Sequence, residues 1–231
     1  MSEITPTEWT AILLSLRVAV IATLVATPFG IALAWLLARY HFWGKSVLDA
    51  LVHLPLVLPP VVTGYLLLLT FGKRGLVGAW LADHLGIVFA FRWTGAALAC
   101  GVMSFPLLVR PIRLSIEAID RKLEQAASTL GAPPWQVFAT VTLPLALPGI
   151  LAGMVLGFAK AIGEFGATIT FVSNIPGETQ TISSAIYSLI QTPDGDAAAL
   201  RLVIVSTVIA MTALIGSEWF ARRATQRLHG N

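Results

Sequence analysis

Apolar residues gather in five long runs separated by short polar stretches. The runs extend from about Ala11 to Ala38, Val47 to Phe71, Trp93 to Val109, Leu145 into Gly163 or beyond, and Ala199 to Trp219. A helix needs about 20 mainly apolar residues to cross the hydrocarbon layer, where its backbone must satisfy its own hydrogen bonds. Each run therefore predicts a spanning helix. Together they predict an all-α polytopic membrane helix bundle of about five transmembrane helices, a single domain over residues 1–231. A sixth stretch, Leu76 to Phe91, is shorter and carries Asp83 and His84, which favours an interfacial or re-entrant segment over a crossing. Arg201, near the start of the last run, is expected to snorkel to the surface.

Composition agrees with the pattern. Of the chain, 56% is hydrophobic and 12% charged, with a mean hydropathy of +0.81, against about 45–50% and 25% in soluble domains. An ordinary soluble globule and a disordered chain are both excluded. The lone Cys100 lies within an apolar run, so neither a disulfide framework nor a cysteine metal site follows. A net charge of +3 raises the question of nucleic acid. The basic residues sit beside apolar runs rather than in one stripe, which points to membrane topology and a lipid environment and to no nucleic acid.

Cytoplasmic loops hold the excess of Lys and Arg. Arg39 and Lys45 follow the first run, Arg110, Arg113, Arg121 and Lys122 the third, and Arg222, Arg223 and Arg227 the fifth. The opposite side holds Lys73, Arg74 and Arg92 with the acidic Glu3, Glu8, Glu178, Asp194 and Asp196. This predicts an outside N-terminus and a cytoplasmic C-terminus. A cleaved signal peptide is not expected, because no basic segment precedes a first run that is too long for one.

Two features concern packing. Gly149, Gly153 and Gly157 lie on one face of the fourth run, where a neighbouring helix of the same subunit or of a second copy can approach closely. Pro55, Pro59 and Pro60, within HLPLVLPPVV, each remove an amide donor, so the second span cannot be a regular helix. Broken backbone at membrane depth is tolerated where it is buried in protein or lines a watery cavity. The break is read as either a plain kink or part of a pathway. LPLALPG, from Leu143 to Gly149, is similar but establishes no internal repeat.

Charge inside the fourth run is the next signal. Lys160 and Glu164 are four apart and each is costly in hydrocarbon unless paired or wet, by roughly 3 kcal/mol. They either neutralise each other, or Lys160 faces a pathway and attracts an anion while Glu164 ties down the glycine-loosened GEFGAT backbone.

The polar loop from Glu117 to Pro144 reads as helix, turn, helix. Leu123, Ala126, Ala127 and Leu130 recur at helical spacing, Gly131 suits a left-handed helix end, and Pro133 and Pro134 suit a new helix start. Trp135 and Phe138 would share one face, available to a partner's groove or to the membrane face of their own subunit.

This loop resembles the EAA loop of binding-protein-dependent ABC import permeases in Ala126, Ala127, Gly131, Val141, Leu143 and Pro144. It departs at Gln125, which stands where the family has its glutamate, with Glu124 one place earlier and about 100° round the helix. HLPLVLPPVVTGYLLL and GEFGATITFVSNIPGETQTI are similar to molybdate-type permeases, and sulfate permeases share GEFG. The resemblance implies a type I ABC importer permease fold in a bacterial cytoplasmic (inner) membrane and a loop, about 111–143, that docks on an ATPase. By that resemblance Gln125, Ala126, Ala127, Gly131, Ala132, Trp135 and Phe138 couple to the ATPase. Pro59, Pro60, Lys160, Gly163, Glu164, Phe165, Gly166 and Thr168 are the pathway expectation. It also implies two permease copies in a homodimer, an ABC ATPase dimer, and a periplasmic or extracellular molybdate-binding protein. Tungstate or sulfate is the alternative cargo.

Chemistry of its own is not expected. Gly44, Lys45 and Ser46 spell the end of a phosphate-binding loop, but Arg39 occupies the place of its first glycine and an apolar run precedes it instead of a strand. His41, His53, His84 and His229 are scattered without metal-ligand spacing, and no GxSxG elbow occurs. No cofactor, metal site or catalytic residue follows, which disfavours an intramembrane enzyme. A scaffold without a pathway would leave Lys160 and Glu164 unexplained.

Overall fold

A computed structural model describes the backbone of residues 4–228 and the side chains of residues 4–216. All regular elements among the described residues are helical. The first helix, α1 (Pro6–Arg39), begins with a capping box in which Thr5 accepts from the Glu8 amide and Glu8 accepts from the Thr5 amide. It buries a seam of small residues, Ala11, Ala19, Ala22, Ala26 and Ala34. Small side chains let helix backbones approach closely where lipid offers no hydrophobic drive.

That seam lies against α5 (Trp93–Ala118), the central helix, which buries Ala96, Ala99, Met103, Leu108, Ile112 and Ile116. The apolar run behind α5 suggested a span ending near Val109, whereas the helix continues to Ala118. Its last turns carry Arg113, which bonds to Glu117 at 2.8 Å one turn on. The helix can outrun its apolar pattern because this pair and Asp49, 2.8 Å from Arg113, satisfy the guanidinium.

The other face of α5 receives α8 (Leu143–Ile162) through the glycine ridge. A Cβ added at Gly149 would lie 2.6 Å from the Pro111 carbonyl oxygen, and one at Gly153 2.5 Å from that of Leu108. The ridge therefore serves packing within the subunit, the first of the two neighbours the spacing allowed.

The second apolar run is two helices, α2 (Lys45–Val57) and α3 (Pro60–Phe71), bent by 115° at Leu58 and Pro59. Such an angle far exceeds a proline kink, and the pair is a broken span or a re-entrant loop. Next comes α4 (Leu76–Leu85), whose 10 residues are too few to cross a bilayer. The polar loop after α5 contains α6 (Arg121–Thr129) and α7 (Pro134–Val137). After α8 come α9 (Gly166–Val172), α10 (Ile182–Leu189) and α11 (Asp196–Leu228).

Among the described residues four helical stretches are long and apolar enough to span, Pro6–Arg39, Trp93–Ala118, Pro134–Ile162 and Asp196–Gly216, and the bent pair makes a fifth if it is one span. The guanidinium of Arg201 lies 2.8 Å from the buried carboxylate of Glu8, so α11 is clasped to the first turn of α1. The side chains of Arg222, Arg223 and Arg227, used above for orientation, lie outside the described residues.

Candidate functional site

Two of the sequence strings singled out above meet in space. Helix α8 stops at Ile162, and the amide of Glu164 bonds the Ala161 carbonyl at 3.3 Å before the chain restarts as α9. Glu164 is 1% exposed and uses both oxygens. One accepts from Lys160 Nζ at 2.6 Å, and the other accepts from the Ala167 amide at 3.0 Å, which satisfies a free amide in the first turn of α9. The carboxylate thus joins the two helix ends across the break. The Lys160 side chain keeps 29% exposure, so its pairing with Glu164 leaves part of it open to the surroundings. Mutual neutralisation and tethering of the GEFGAT backbone occur together in one geometry.

The broken span seats on this break. A Cβ at Gly166 would lie 2.7 Å from Pro60 Cβ, and one at Gly64 would lie 2.6 Å from the Ala167 carbonyl oxygen. Helix α3 therefore starts directly on the restart of α9. Pro59, Pro60 and Gly163 are exposed beside it, while Thr168 is buried and donates to the Phe165 carbonyl at 2.8 Å. Phe165 packs on Tyr187 of α10 with ring centroids 5.0 Å apart. Sequence reasoning missed Gly64, Tyr187 and Thr63, whose buried hydroxyl has no hydrogen-bond partner among the described residues. The TGY string after the prolines carried the signals for Gly64 and Thr63, a small residue and a hydroxyl one turn from the break.

The loop that follows α5 is shaped by local chemistry. Asp120 caps α6 by accepting from the Lys122 amide at 2.9 Å. Gly131 ends it at φ +87°, a conformation that favours glycine, with open space where a Cβ would be. Pro133 and Pro134 then start α7, as the sequence suggested. The second helix is not a separate piece, however. Phe138–Thr142 forms one π-helical turn that runs on into α8, so Pro134–Ile162 is one continuous rod. At 1.5 Å per residue it is about 43 Å long.

Trp135 and Phe138 do not share a fate. Trp135 is 72% exposed, whereas Phe138 packs on Trp35 of α1 at 5.2 Å. The two positions, three residues apart, differ by about 60° round the helix, enough to turn Phe138 toward Trp35 and leave Trp135 outward. Leu130 is 89% exposed and Ala126 and Gln125 are exposed, while Ala127 and Ala132 are half-buried. The apolar stripe of α6 is thus left largely without cover in its own subunit.

Glu124 is the second residue that sequence reasoning undervalued. Its carboxylate lies 3.0 Å from Arg39 Nε and accepts from the Thr142 hydroxyl at 2.6 Å. Three elements, the end of α1, α6 and the base of α8, converge on it. The signal was present in the sequence as Glu124 one place before Gln125, but only the fold brings Arg39 to it.

Comparison with known proteins follows the same lines. A family model described as binding-protein-dependent transport system inner membrane component matches residues 26–226. The chain is 62% identical over 224 residues to the molybdenum transport system permease protein ModB of Escherichia coli (strain K12), covering 97% of this chain and 98% of that protein. It is 56% identical over 221 residues to the ModB of Haemophilus influenzae, covering 96% of each. Among solved structures, the bacterial alginate ABC transporter in complex with an alginate pentasaccharide-bound periplasmic protein contains a chain with TM-score 0.75 and 20% identity, covering 96% of this chain and 81% of that one.

Proposed function

The chain belongs to the family of binding-protein-dependent transport system inner membrane components, and from that membership we propose that it is the permease subunit of an ATP-driven molybdate importer. It is a multi-pass inner-membrane protein with a type I ABC importer permease fold. Molybdate is the cargo because both ModB relatives, at 62% and 56% identity over nearly the whole chain, are molybdenum permeases.

The observation that carries the mechanism is the continuous rod. Trp135 stands exposed at its start and Lys160 lies in its last turn, next to the break that seats the broken span. A movement of the tip is therefore carried along one continuous helix to Lys160, and through Glu164 to the contact of α9 with α3. In this reading an ATPase dimer grips the uncovered surface of Gln125, Ala126, Leu130, Gly131 and Trp135. Its nucleotide cycle tilts the rod, and two copies of the chain rock between outward and inward arrangements. An external binding protein delivers the oxyanion. The N-terminus lies outside, and the α6 loop and C-terminus lie in the cytoplasm.

Lys160 supplies positive charge at the pathway, held in place by Glu164. One cation already half engaged attracts a dianion without trapping it, which suits conduction rather than storage. Pro59, Pro60, Gly163, Phe165, Gly166 and Thr168 shape the backbone there.

The test is ATP-dependent uptake of molybdate into proteoliposomes containing this permease, its ATPase and its binding protein, with tungstate and sulfate as competitors. Tungstate, with molybdate's shape and charge, should compete strongly and sulfate weakly. Equal competition by sulfate overturns the cargo assignment, and uptake independent of ATP overturns the mechanism.

A further inference from the structure

One intramembrane cation has no part in the mechanism above. Arg17 lies on the exposed face of α1, with its guanidinium carbon 3.8 Å from the centroid of the Trp93 ring. Among the described residues it makes no ion pair, whereas Arg39, Lys160 and Arg201 of the apolar helices each pair with a carboxylate. Its height is informative. Arg17 and Arg39 are about 33 Å apart along α1, close to the thickness of one hydrocarbon layer. With Arg39 at the end of the bundle that carries α6, Arg17 sits at the opposite boundary, level with lipid phosphates. Trp93, which opens α5, is an interfacial aromatic at that height.

Below Trp93 a groove of about 650 Å³ opens between α1, α2 and α5, within the range of about 300–1,000 Å³ found for ligand pockets. Ile21, Phe29, Leu51, Pro55, Gly101 and Phe105 line it, and Thr94 and the indole of Trp93 are the two side chains in its wall with a polar group. From Trp93 to Phe105 it descends about 18 Å along α5, the depth of one bilayer leaflet. A cation at the headgroup level with a leaflet-deep apolar channel beneath it matches an amphiphile with a phosphate at one end and hydrocarbon at the other. A second copy of the chain is a poorer match in charge. Its carboxylates nearest that level within the apolar helices are Glu8 and Glu164, both already engaged by Arg201 and Lys160.

We propose that this groove binds one phospholipid molecule, its phosphate held by Arg17 and an acyl chain lying between α1, α2 and α5. Trp93 holds the guanidinium from behind by stacking, and the chain fills the space beneath α2, which Asp49 and Arg113 tie to α5.

The test is native mass spectrometry of the delipidated full-length permease with its ATPase in detergent, titrated with dioleoyl phosphatidylglycerol. The wild type should take up one tightly held lipid per permease copy. Arg17→Gln should weaken that binding roughly tenfold, as for loss of one charge-assisted contact, and Arg17→Lys should retain part of it. Gly101→Leu should abolish it by filling the groove, because a Cβ there meets nothing nearer than the Ala22 carbonyl oxygen at 3.8 Å and the side chain points into free space. Glycerol phosphate, the headgroup without tails, should not displace the lipid. Unchanged lipid binding by Arg17→Gln or by Gly101→Leu overturns the proposal, and either variant decides alone if the other fails to fold. Displacement by glycerol phosphate, or a disulfide between two copies carrying Val25→Cys, assigns the place to a free anion or a second chain and overturns it equally.

Discussion

Pro60, the first residue of α3, rests on Gly166, the first residue of α9, so closely that a Cβ at Gly166 would stand 2.7 Å from Pro60 Cβ. One turn on, a Cβ at Gly64 would stand 2.6 Å from the Ala167 carbonyl oxygen and 2.9 Å from the Ala167 Cα. Two helix starts, each following a break in a span, are thereby locked together, and the lock is made of backbone.

Backbone cannot yield as a flexible side chain does, so Gly64→Ala is expected to destabilise the permease by about 1–3 kcal/mol through overpacking. Uptake should fall even where enough protein inserts, because α3 is displaced from α9. Gly101→Ala is the control, since its new Cβ meets ordinary contacts only, the nearest at 3.8 Å. Thermal unfolding in detergent compared between the two variants checks this, and equal midpoints would show that the contact at Gly64 is soft.

Neutralising Lys160 alone leaves Glu164 buried without its cation. Lys160→Met should therefore cost several kcal/mol, about 3–5 for a fully buried pair and less here because Lys160 is partly exposed. Lys160→Met with Glu164→Gln should recover most of that stability, since the amide oxygen still accepts from Ala167. If Lys160 serves the pathway, the double variant folds yet stays slow in molybdate uptake. Recovery of both stability and uptake would make the pair structural.

The tie between Glu124 and Arg39 makes a different prediction. Both side chains are largely covered, 18% and 10% exposed, so the pair is not a surface ion pair that solvent screens away. Glu124→Ala should lose about 1.5–3 kcal/mol and also free Thr142 at the base of the rod. ATPase binding should persist, because the exposed stripe remains, while ATP hydrolysis becomes uncoupled from uptake. Measuring hydrolysis and uptake in the same proteoliposomes tests this, and an unchanged ratio of the two refutes it.

What could be read from the sequence was what rests on period and on single residue types. The five apolar runs, the break at Pro59 and Pro60, the turn at Gly131 and the pairing of Lys160 with Glu164 are all local, the last being one helical turn apart. Contacts between distant residues were not legible. Nothing in the pattern brings Pro60 to Gly166, Glu124 to Arg39 or Glu8 to Arg201. Helix ends were also misjudged where polar residues find partners. The third span reaches Ala118 because Asp49 and Glu117 satisfy Arg113, and the fourth starts at Pro134 because a π turn carries the helix through FATVT. An offset of about 60° round the helix separates Trp135 from Phe138, which simple spacing had placed together.

That separation yields the sharpest test of the lever. Trp135, 72% exposed, contributes little to the isolated subunit, so Trp135→Ala should shift stability by no more than about 0.5 kcal/mol. It should nevertheless reduce ATPase co-purification severely, because exposed aromatics at such tips act as anchors. Phe138→Ala should do the reverse: it removes a ring packed on Trp35, costs about 1–3 kcal/mol, and leaves the docking surface in place. Thermal unfolding and co-purification measured on both variants give four values, and the crossed pattern is the expected one. If both variants behave alike, the two rings act as one surface and the rod does not carry its partner through Trp135.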